Sequence, residues 1–137
     1  MTATTFPTSR VDRLTVFEIG EAVRRGAIVV DIRSQAARVV EGTLPGALAI
    51  DAGVLEQRVD PAGAGRLALA VDHDVEWVIV SSDGAVSGAT VAALRRLGLH
   101  RATDLAGGYR ALKSAGLLGV LIGQRHCVRE LATVAAH

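Results

Sequence analysis

The stretch of this sequence with the clearest chemical character is the loop SSDGAVS at residues 81–87. It follows the apolar run VIV and precedes ATVAALRRLG, whose apolar residues recur at helical spacing. In α/β proteins, the backbone amides of such a strand-to-helix loop converge on one point, where they bind phosphate or stabilise an oxyanion. The candidate anion site comprises the seven loop residues Ser81, Ser82, Asp83, Gly84, Ala85, Val86 and Ser87. The loop carries no cysteine, histidine, lysine or arginine.

Ser81, at the tip of the predicted strand, is a candidate hydrolase nucleophile. A hydrolase would need a general base within hydrogen-bonding distance of this hydroxyl. His73 and His100 both precede predicted strands, which places them at the opposite edge of the sheet. His126 and His137 lie in the C-terminal tail, which could fold back, but nothing in their spacing requires either of them to reach the loop. We therefore do not expect a serine hydrolase.

Short β-branched runs alternate along the chain with helical periodicity, which is typical of parallel strands joined by helices. Strands are predicted at residues 27–33, 47–50, 75–80 and 101–105. Helices are predicted at residues 15–26, 34–42, 52–59, 64–71, 87–97 and 107–116. Thr15, Ser34 and Asp51 are the expected N-caps. The predicted fold class is α/β, with the ligand site beyond the carboxyl ends of the strands.

Length and composition restrict the classes of function. A chain of 137 residues with half of them hydrophobic can form one domain with its own core. The formal net charge of +1 provides no large field for nucleic acid or an anionic membrane. A single cysteine excludes an internal disulfide and fits a reducing compartment, so we expect a cytoplasmic protein.

The distribution of predicted strands and helices along the chain also predicts the domain boundaries. Residues 1–10 are predicted to be a flexible N-terminus, residues 11–118 the folded domain, and residues 119–137 a helical C-terminal extension. This extension is expected to pack on its own domain or on a second copy, and Cys127 is expected to pack as a small hydrophobe on its apolar face. The alternative is a reactive thiol, because basic residues flank Cys127 on both sides.

Five segments in order, VVDIR, EGTLPGA, VIVSSDGAVS, ALRRLG and DLAGGYRAL, resemble the rhodanese-like family of sulfurtransferases. Four of them, VVDIR, EGTLPGA, VIVSSDGAVS and DLAGGYRAL, are similar in turn to the family's Asp-Val-Arg strand end, its Gly-His-Ile-Pro-Gly-Ala turn, its active-site loop and its Leu-x-Gly-Gly segment. The resemblance covers residues 11 to 118. It implies a three-layer α/β/α domain around a central parallel sheet of about five strands. It also implies a catalytic cysteine at the strand tip that carries a persulfide during sulfur transfer from thiosulfate.

The sequence departs from this pattern at the positions that matter for catalysis. Aligned on Gly84 and Ser87, the loop has Ser81 at the family's cysteine position and Val86 where an arginine is common. Asp83 adds a carboxylate to a loop whose amides attract anions. We therefore expect no catalytic residue at this loop, and we expect the loop amides to be bonded to Ser81, Asp83 and water rather than to an exogenous anion.

The remaining motif residues are predicted to be structural. Asp31 and Arg33 are expected to form a pair that supports the following loop, and Gly107 and Gly108 to allow the last helix to approach the active-site loop. We expect no cofactor and no metal.

The sequence thus predicts a catalytically degenerate domain that serves in binding, regulation or scaffolding. Two alternatives stay open, namely sulfur transfer through Cys127 and binding of a small anion at residues 81–87. The expected partner is a protein or a small anion, and a homodimer is possible. Nucleic acid and membrane are not expected partners.

Overall fold

Apolar, β-branched residues form the centre of a five-stranded parallel sheet. The computed structural model describes residues 13–121. In chain order the strands are β1 Arg13–Leu14, β2 Ile28–Asp31, β3 Leu48–Ala49, β4 Trp77–Val80 and β5 Thr103–Leu105. Their spatial order is β1-β5-β4-β2-β3, and every neighbouring pair is parallel. β2 and β4 are buried along their whole length, as expected for parallel strands covered on both faces.

Helices cover both faces of this sheet. They are α1 Ile19–Arg24, α2 Gln35–Glu41, α3 Ala52–Val59, α4 Ser87–Arg96, α5 Gly108–Ser114 and a 3-10 helix Leu118–Leu121. One core joins α3 and α4 to alternate strand residues that include Trp77 and Ile79. The second core joins α1, α5 and the 3-10 helix to the intervening residues, which include Val78 and Val80. The predicted α/β class and the three layers are confirmed.

Several local predictions are confirmed. Ser34 caps α2, since its hydroxyl accepts a hydrogen bond from the Ala37 amide at 3.1 Å. Gly42 ends the same helix with a φ of 113°, a conformation that favours glycine. Asp51 precedes α3 as predicted, but its side chain makes no capping hydrogen bond.

The helix predicted at residues 64–71 does not form. This segment is a series of turns, and its apolar residues Leu67, Leu69 and Ala70 are buried in the α3–α4 core. Glycines at 63 and 65 weaken helix formation there, and burial of the leucines stabilises the irregular path instead. Tertiary packing therefore outweighs the helical pattern.

The first helix is shorter than predicted. It begins at Ile19, and its N-cap is Glu18 rather than Thr15. The Thr15 amide donates to Glu18 Oε1 at 2.9 Å, and the Glu18 amide donates to the Thr15 carbonyl at 3.0 Å, so residues 15–18 form a turn. Before this turn lies β1, which the sequence pattern did not predict.

Some predictions fall on residues that the structure does not describe. The flexible N-terminus at residues 1–10 and the helical extension beyond Leu121, with Cys127, lie outside the described residues. Within residues 13–121, no helix is both long enough and apolar enough to cross a membrane.

Candidate functional site

The loop at residues 81–87 begins where the central strand β4 ends. Ser81 is 2% exposed, and its Oγ accepts a hydrogen bond from the Gly84 amide at 2.9 Å. Asp83 Oδ1 accepts from the Ala85 amide at 3.0 Å. Gly84 has a φ of 84°, which turns the chain back toward Ser81. Two of the loop amides are therefore bonded to loop side chains, through the two acceptors that the sequence predicted.

The start of α5 holds this loop from the other side. The Tyr109 amide donates to the Ser81 carbonyl at 2.8 Å, and the Arg110 amide donates to the Ser82 carbonyl at 2.9 Å. This approach requires glycine at 108, where φ is 60° and a Cβ would lie 2.8 Å from the Gly84 amide nitrogen. Backbone contacts with α5 thus determine the position of the loop.

A carboxylate from α2 lies beside the loop. Glu41 Oε1 accepts from the Ser82 hydroxyl at 2.9 Å and from Arg33 Nη1 at 3.3 Å. Arg110 lies 3.6 Å from Glu41 Oε2 and 3.9 Å from Asp83 Oδ2. The hydrogen bond from Ser82 is the main reason that the pKa of Glu41 lies below its usual value, although burial opposes the shift. Two carboxylates therefore share Arg110 beside the loop.

Asp31 and Arg33 form a buried pair beneath this cluster. Arg33 Nε and Nη2 donate to the two oxygens of Asp31 at 3.0 and 2.8 Å, and both side chains are at most 2% exposed. The guanidinium also stacks on the Tyr109 ring, 3.9 Å from its centroid. Burial by itself would lower the pKa of Arg33, but the hydrogen bonds and charge of Asp31, together with the hydrogen bond to Glu41 and the charge of Tyr109, outweigh burial and raise it. Each nitrogen of this guanidinium and both oxygens of the carboxylate therefore have a hydrogen-bond partner within the protein.

A second polar network, centred on the buried Asp104, lies on the opposite side of the loop. Asp104, at 3% exposure, accepts from the Ser87 hydroxyl at 2.6 Å and from Arg13 Nε at 2.9 Å. Arg13 Nη2 also donates to the Gly84 carbonyl at 3.0 Å. Since Arg13 belongs to β1 and Asp104 to β5, this network attaches the loop to the edge of the sheet.

The two histidines within residues 13–121 lie away from the loop. His100 Nε2 is 2.7 Å from Asp74 Oδ1, and both side chains are exposed. Asp74 precedes β4 and His100 precedes β5, so this pair lies at the amino ends of the strands, whereas Ser81 follows the carboxyl end of β4. His73 lies near Gly98, which also precedes β5. Neither histidine can act as a base for Ser81.

Sequence reasoning missed four residues around the loop, namely Arg13, Glu41, Arg110 and the role of Asp104. Glu41 directly precedes the glycine of the EGTLPGA motif, and Arg110 lies within GGYRAL. Both motifs contain glycines, and EGTLPGA also contains a proline, and these residues predict turns rather than charged contacts. A charged residue within each motif, Glu41 in the first and Arg110 in the second, is the sequence feature that could have indicated a polar contact with the loop.

A model of the rhodanese-like domain family matches residues 18–115, more than half of the chain. This chain belongs to the rhodanese-like domain family. The match spans α1 to α5 and includes the loop at residues 81–87. A comparison with curated protein sequences found no significant match.

Solved structures share this rhodanese-like fold. A protein of unknown function from Rhodopseudomonas palustris, described as a possible tyrosine phosphatase, is 22% identical with a TM-score of 0.66, covering 85% of this chain and 96% of that protein. A rhodanese-related protein from Thermoplasma volcanium is 19% identical with a TM-score of 0.59, covering 76% and 92%. A rhodanese-like domain protein from Staphylococcus aureus is 20% identical with a TM-score of 0.56, covering 72% and 88%. At these identities the comparison concerns the fold.

Proposed function

We propose that this rhodanese-like domain is catalytically degenerate and serves in binding, regulation or scaffolding. Ser81 stands at the position of the family's catalytic cysteine in this proposal. The observation that carries it is the use of the Ser81 hydroxyl as an internal acceptor for the Gly84 amide, at 2.9 Å. The only cysteine of the chain, Cys127, lies outside the described residues.

The chemistry of serine supports this proposal. A sulfurtransferase nucleophile must take up sulfane sulfur as a persulfide, which a thiolate does and a hydroxyl does not. Val86 is 64% exposed and contributes no positive charge to the loop. Asp83 and Glu41 place two carboxylates near the mouth of the loop, where they repel thiosulfate.

The hydrogen bonds of the loop argue against a small anion as its ligand. An anion bound here would have to displace Ser81 Oγ from the Gly84 amide and Asp83 Oδ1 from the Ala85 amide. No arginine of the loop would compensate the added charge, and Arg110 already faces two carboxylates. We therefore propose a protein, in the cytoplasm, as the partner of the loop surface.

The decisive experiment is a cyanide-dependent thiosulfate assay on the full-length protein. We expect thiocyanate formation at the level of the buffer, because no thiol lies at the loop to carry the sulfur. Clear turnover by the wild-type protein would contradict the proposal. If that turnover disappeared in Cys127→Ser, Cys127 would be the sulfur carrier; if it persisted, another group would be responsible.

Restoring a thiol to the loop should not by itself restore catalysis. We expect Ser81→Cys to stay within about tenfold of the wild-type background in the same assay, since the carboxylates and the missing arginine still disfavour thiosulfate. The combination Ser81→Cys, Asp83→Asn and Val86→Arg should exceed the single variant by about tenfold or more. Ser82→Cys is the matched control for non-specific thiol chemistry. Robust turnover by Ser81→Cys alone would show that the charge argument is wrong.

A further inference from the structure

Helix α2 has an apolar face that belongs to neither core. Ala36, Val39 and Val40 form this face, because positions three and four apart lie on the same side of a helix. Val39 and Val40 are 76% and 83% exposed, and none of the seven residues of α2 is buried by the part of the chain that the structure describes. The helix is attached to the loop through a polar contact instead, the hydrogen bond from Ser82 to Glu41.

The last described residue, Leu121, lies beside the turn that follows α2. Its side chain is 1% exposed and packs in the core formed with α1 and α5. A Cβ placed at Gly46 would overlap the Leu121 carbonyl, so the backbones of these two residues are in contact. Gly46 follows Val40 by six residues, which places Val40 at most about 20 Å from Gly46. Residues 122–137 therefore begin close to the apolar face of α2.

The sequence of residues 122–137 has an apolar pattern that matches this face in size. Its apolar residues recur at helical spacing, and they are Cys127, Val128, Leu131, Val134 and Ala135. In a helix these positions would span about 12 Å, and the seven residues of α2 span about 10 Å. The six residues from Leu121 to Cys127 can reach about 20 Å when extended, which is enough to bring this pattern onto α2.

A segment of the same chain fits the apolar face of α2 better than a second copy does. A stable interface between copies buries about 800 Å² on each partner. The three small side chains of this face supply only a small part of that area. A segment tethered at Leu121 has an effective concentration on the order of millimolar, so a small apolar contact is sufficient to hold it.

We propose that residues 122–137 form an amphipathic helix that packs on the apolar face of α2 and buries Cys127 there. Because Glu41 ends α2 and accepts a hydrogen bond from Ser82, this segment would lie beside the loop at residues 81–87. The inference does not depend on whether the loop transfers sulfur.

The test uses Cys127, the single thiol of the chain, as a reporter of exposure. We expect dithiobis(nitrobenzoate) to label the folded, full-length protein at least about tenfold more slowly than the urea-unfolded protein, because labelling requires the segment to leave α2. Val40→Asp should accelerate labelling of the folded protein about tenfold, since it places a carboxylate in the apolar contact. The added negative charge by itself would disfavour the thiolate, so faster labelling reports exposure.

Two further variants control for the position of the substitution. Val54 is also an exposed helical valine, but it belongs to α3, which packs on the opposite face of the sheet from Leu121. Val54→Asp should leave the labelling rate unchanged within about twofold. Phe17 is 82% exposed and precedes α1, which contacts the 3-10 helix, so Phe17→Asp tests the alternative surface near Leu121. We expect it to leave the rate unchanged as well.

A disulfide measures the proximity of the two segments directly. Val40→Cys introduces a second thiol into the apolar face of α2, and Val54→Cys introduces one on α3. In oxidised glutathione, the introduced thiol of Val40→Cys should form an intramolecular disulfide with Cys127 about tenfold faster than that of Val54→Cys. Electrophoresis without reductant and mass spectrometry of the linked peptides give the two rates.

Four results would overturn the proposal. They are equal labelling of Cys127 in the folded and unfolded protein, acceleration by Phe17→Asp but not by Val40→Asp, equal disulfide rates for the two introduced thiols, and a labelling rate that falls as the protein concentration rises. The last result would assign the segment to a second copy. None of these measurements uses thiosulfate, so they are independent of the sulfur-transfer assay.

Discussion

Arg33→Met is expected to lower the free energy of unfolding by about 3–5 kcal/mol, because it leaves the buried carboxylate of Asp31 without its partner. Both side chains are almost fully buried, and two hydrogen bonds of 3.0 and 2.8 Å join them. Methionine preserves most of the volume of the side chain, so the expected loss is electrostatic rather than steric. The measurement is urea unfolding at neutral pH.

The control for this variant is an exposed pair with the same chemistry. Arg24 and Glu21 are 2.8 Å apart, and their side chains are 71% and 67% exposed. Arg24→Met should cost less than about 1 kcal/mol, because water screens the pair. Equal losses for Arg33→Met and Arg24→Met would show that the buried pair does not stabilise the domain in the way its geometry indicates.

Gly108→Ala is expected to cost about 2–4 kcal/mol and to displace the loop. Its φ of 60° already disfavours a side chain. The added methyl group would also meet backbone atoms of the loop, the Ser81 carbonyl oxygen and the amide nitrogens of Gly84 and Asp83, the latter two at 2.8 and 3.0 Å. Neither α5 nor the loop can move apart without losing the hydrogen bond from the Tyr109 amide to the Ser81 carbonyl.

Gly116→Ala separates the two causes of this loss. Gly116 also has a positive φ, 72°, but a Cβ there has no neighbour within 4 Å. It should therefore show only the conformational cost, about 1 kcal/mol. Urea unfolding gives both values, and NMR shifts of the Gly84 and Ala85 amides report the loop. If Gly108→Ala costs no more than Gly116→Ala, the close approach of α5 does not limit this position.

Most of the strands and helices along the chain could be predicted because local patterns encode them. The apolar runs of β2 and β4 have no polar face and must be buried on both sides, which requires a parallel sheet with helices on both faces. Ser34 and Gly42 mark the ends of α2 through interactions within a few residues. Local structure that depends on residues close together in the chain can therefore be predicted from the sequence.

The helix predicted at residues 64–71 shows where local reasoning fails. Its pattern of apolar residues allows a helix, but Leu67 and Leu69 gain more from burial under α3 and α4 than a short helix with nearby glycines would contribute. β1 was not predicted because two residues are too few to show a hydrophobic pattern. It forms because it pairs in parallel with β5.

The sequence by itself determined the class of the fold, the position of the loop after β4 and the side chains available there, since all of these follow from residue types and their order. The tertiary structure alone decided what surrounds the loop. Arg13 and Asp104 are ninety-one positions apart, and Glu41 and Ser82 are forty-one apart, yet each pair is joined by a hydrogen bond of 2.9 Å. Contacts of this kind depend on which strand lies beside which, and strand order is selected by the packing of the whole chain rather than by any segment of it.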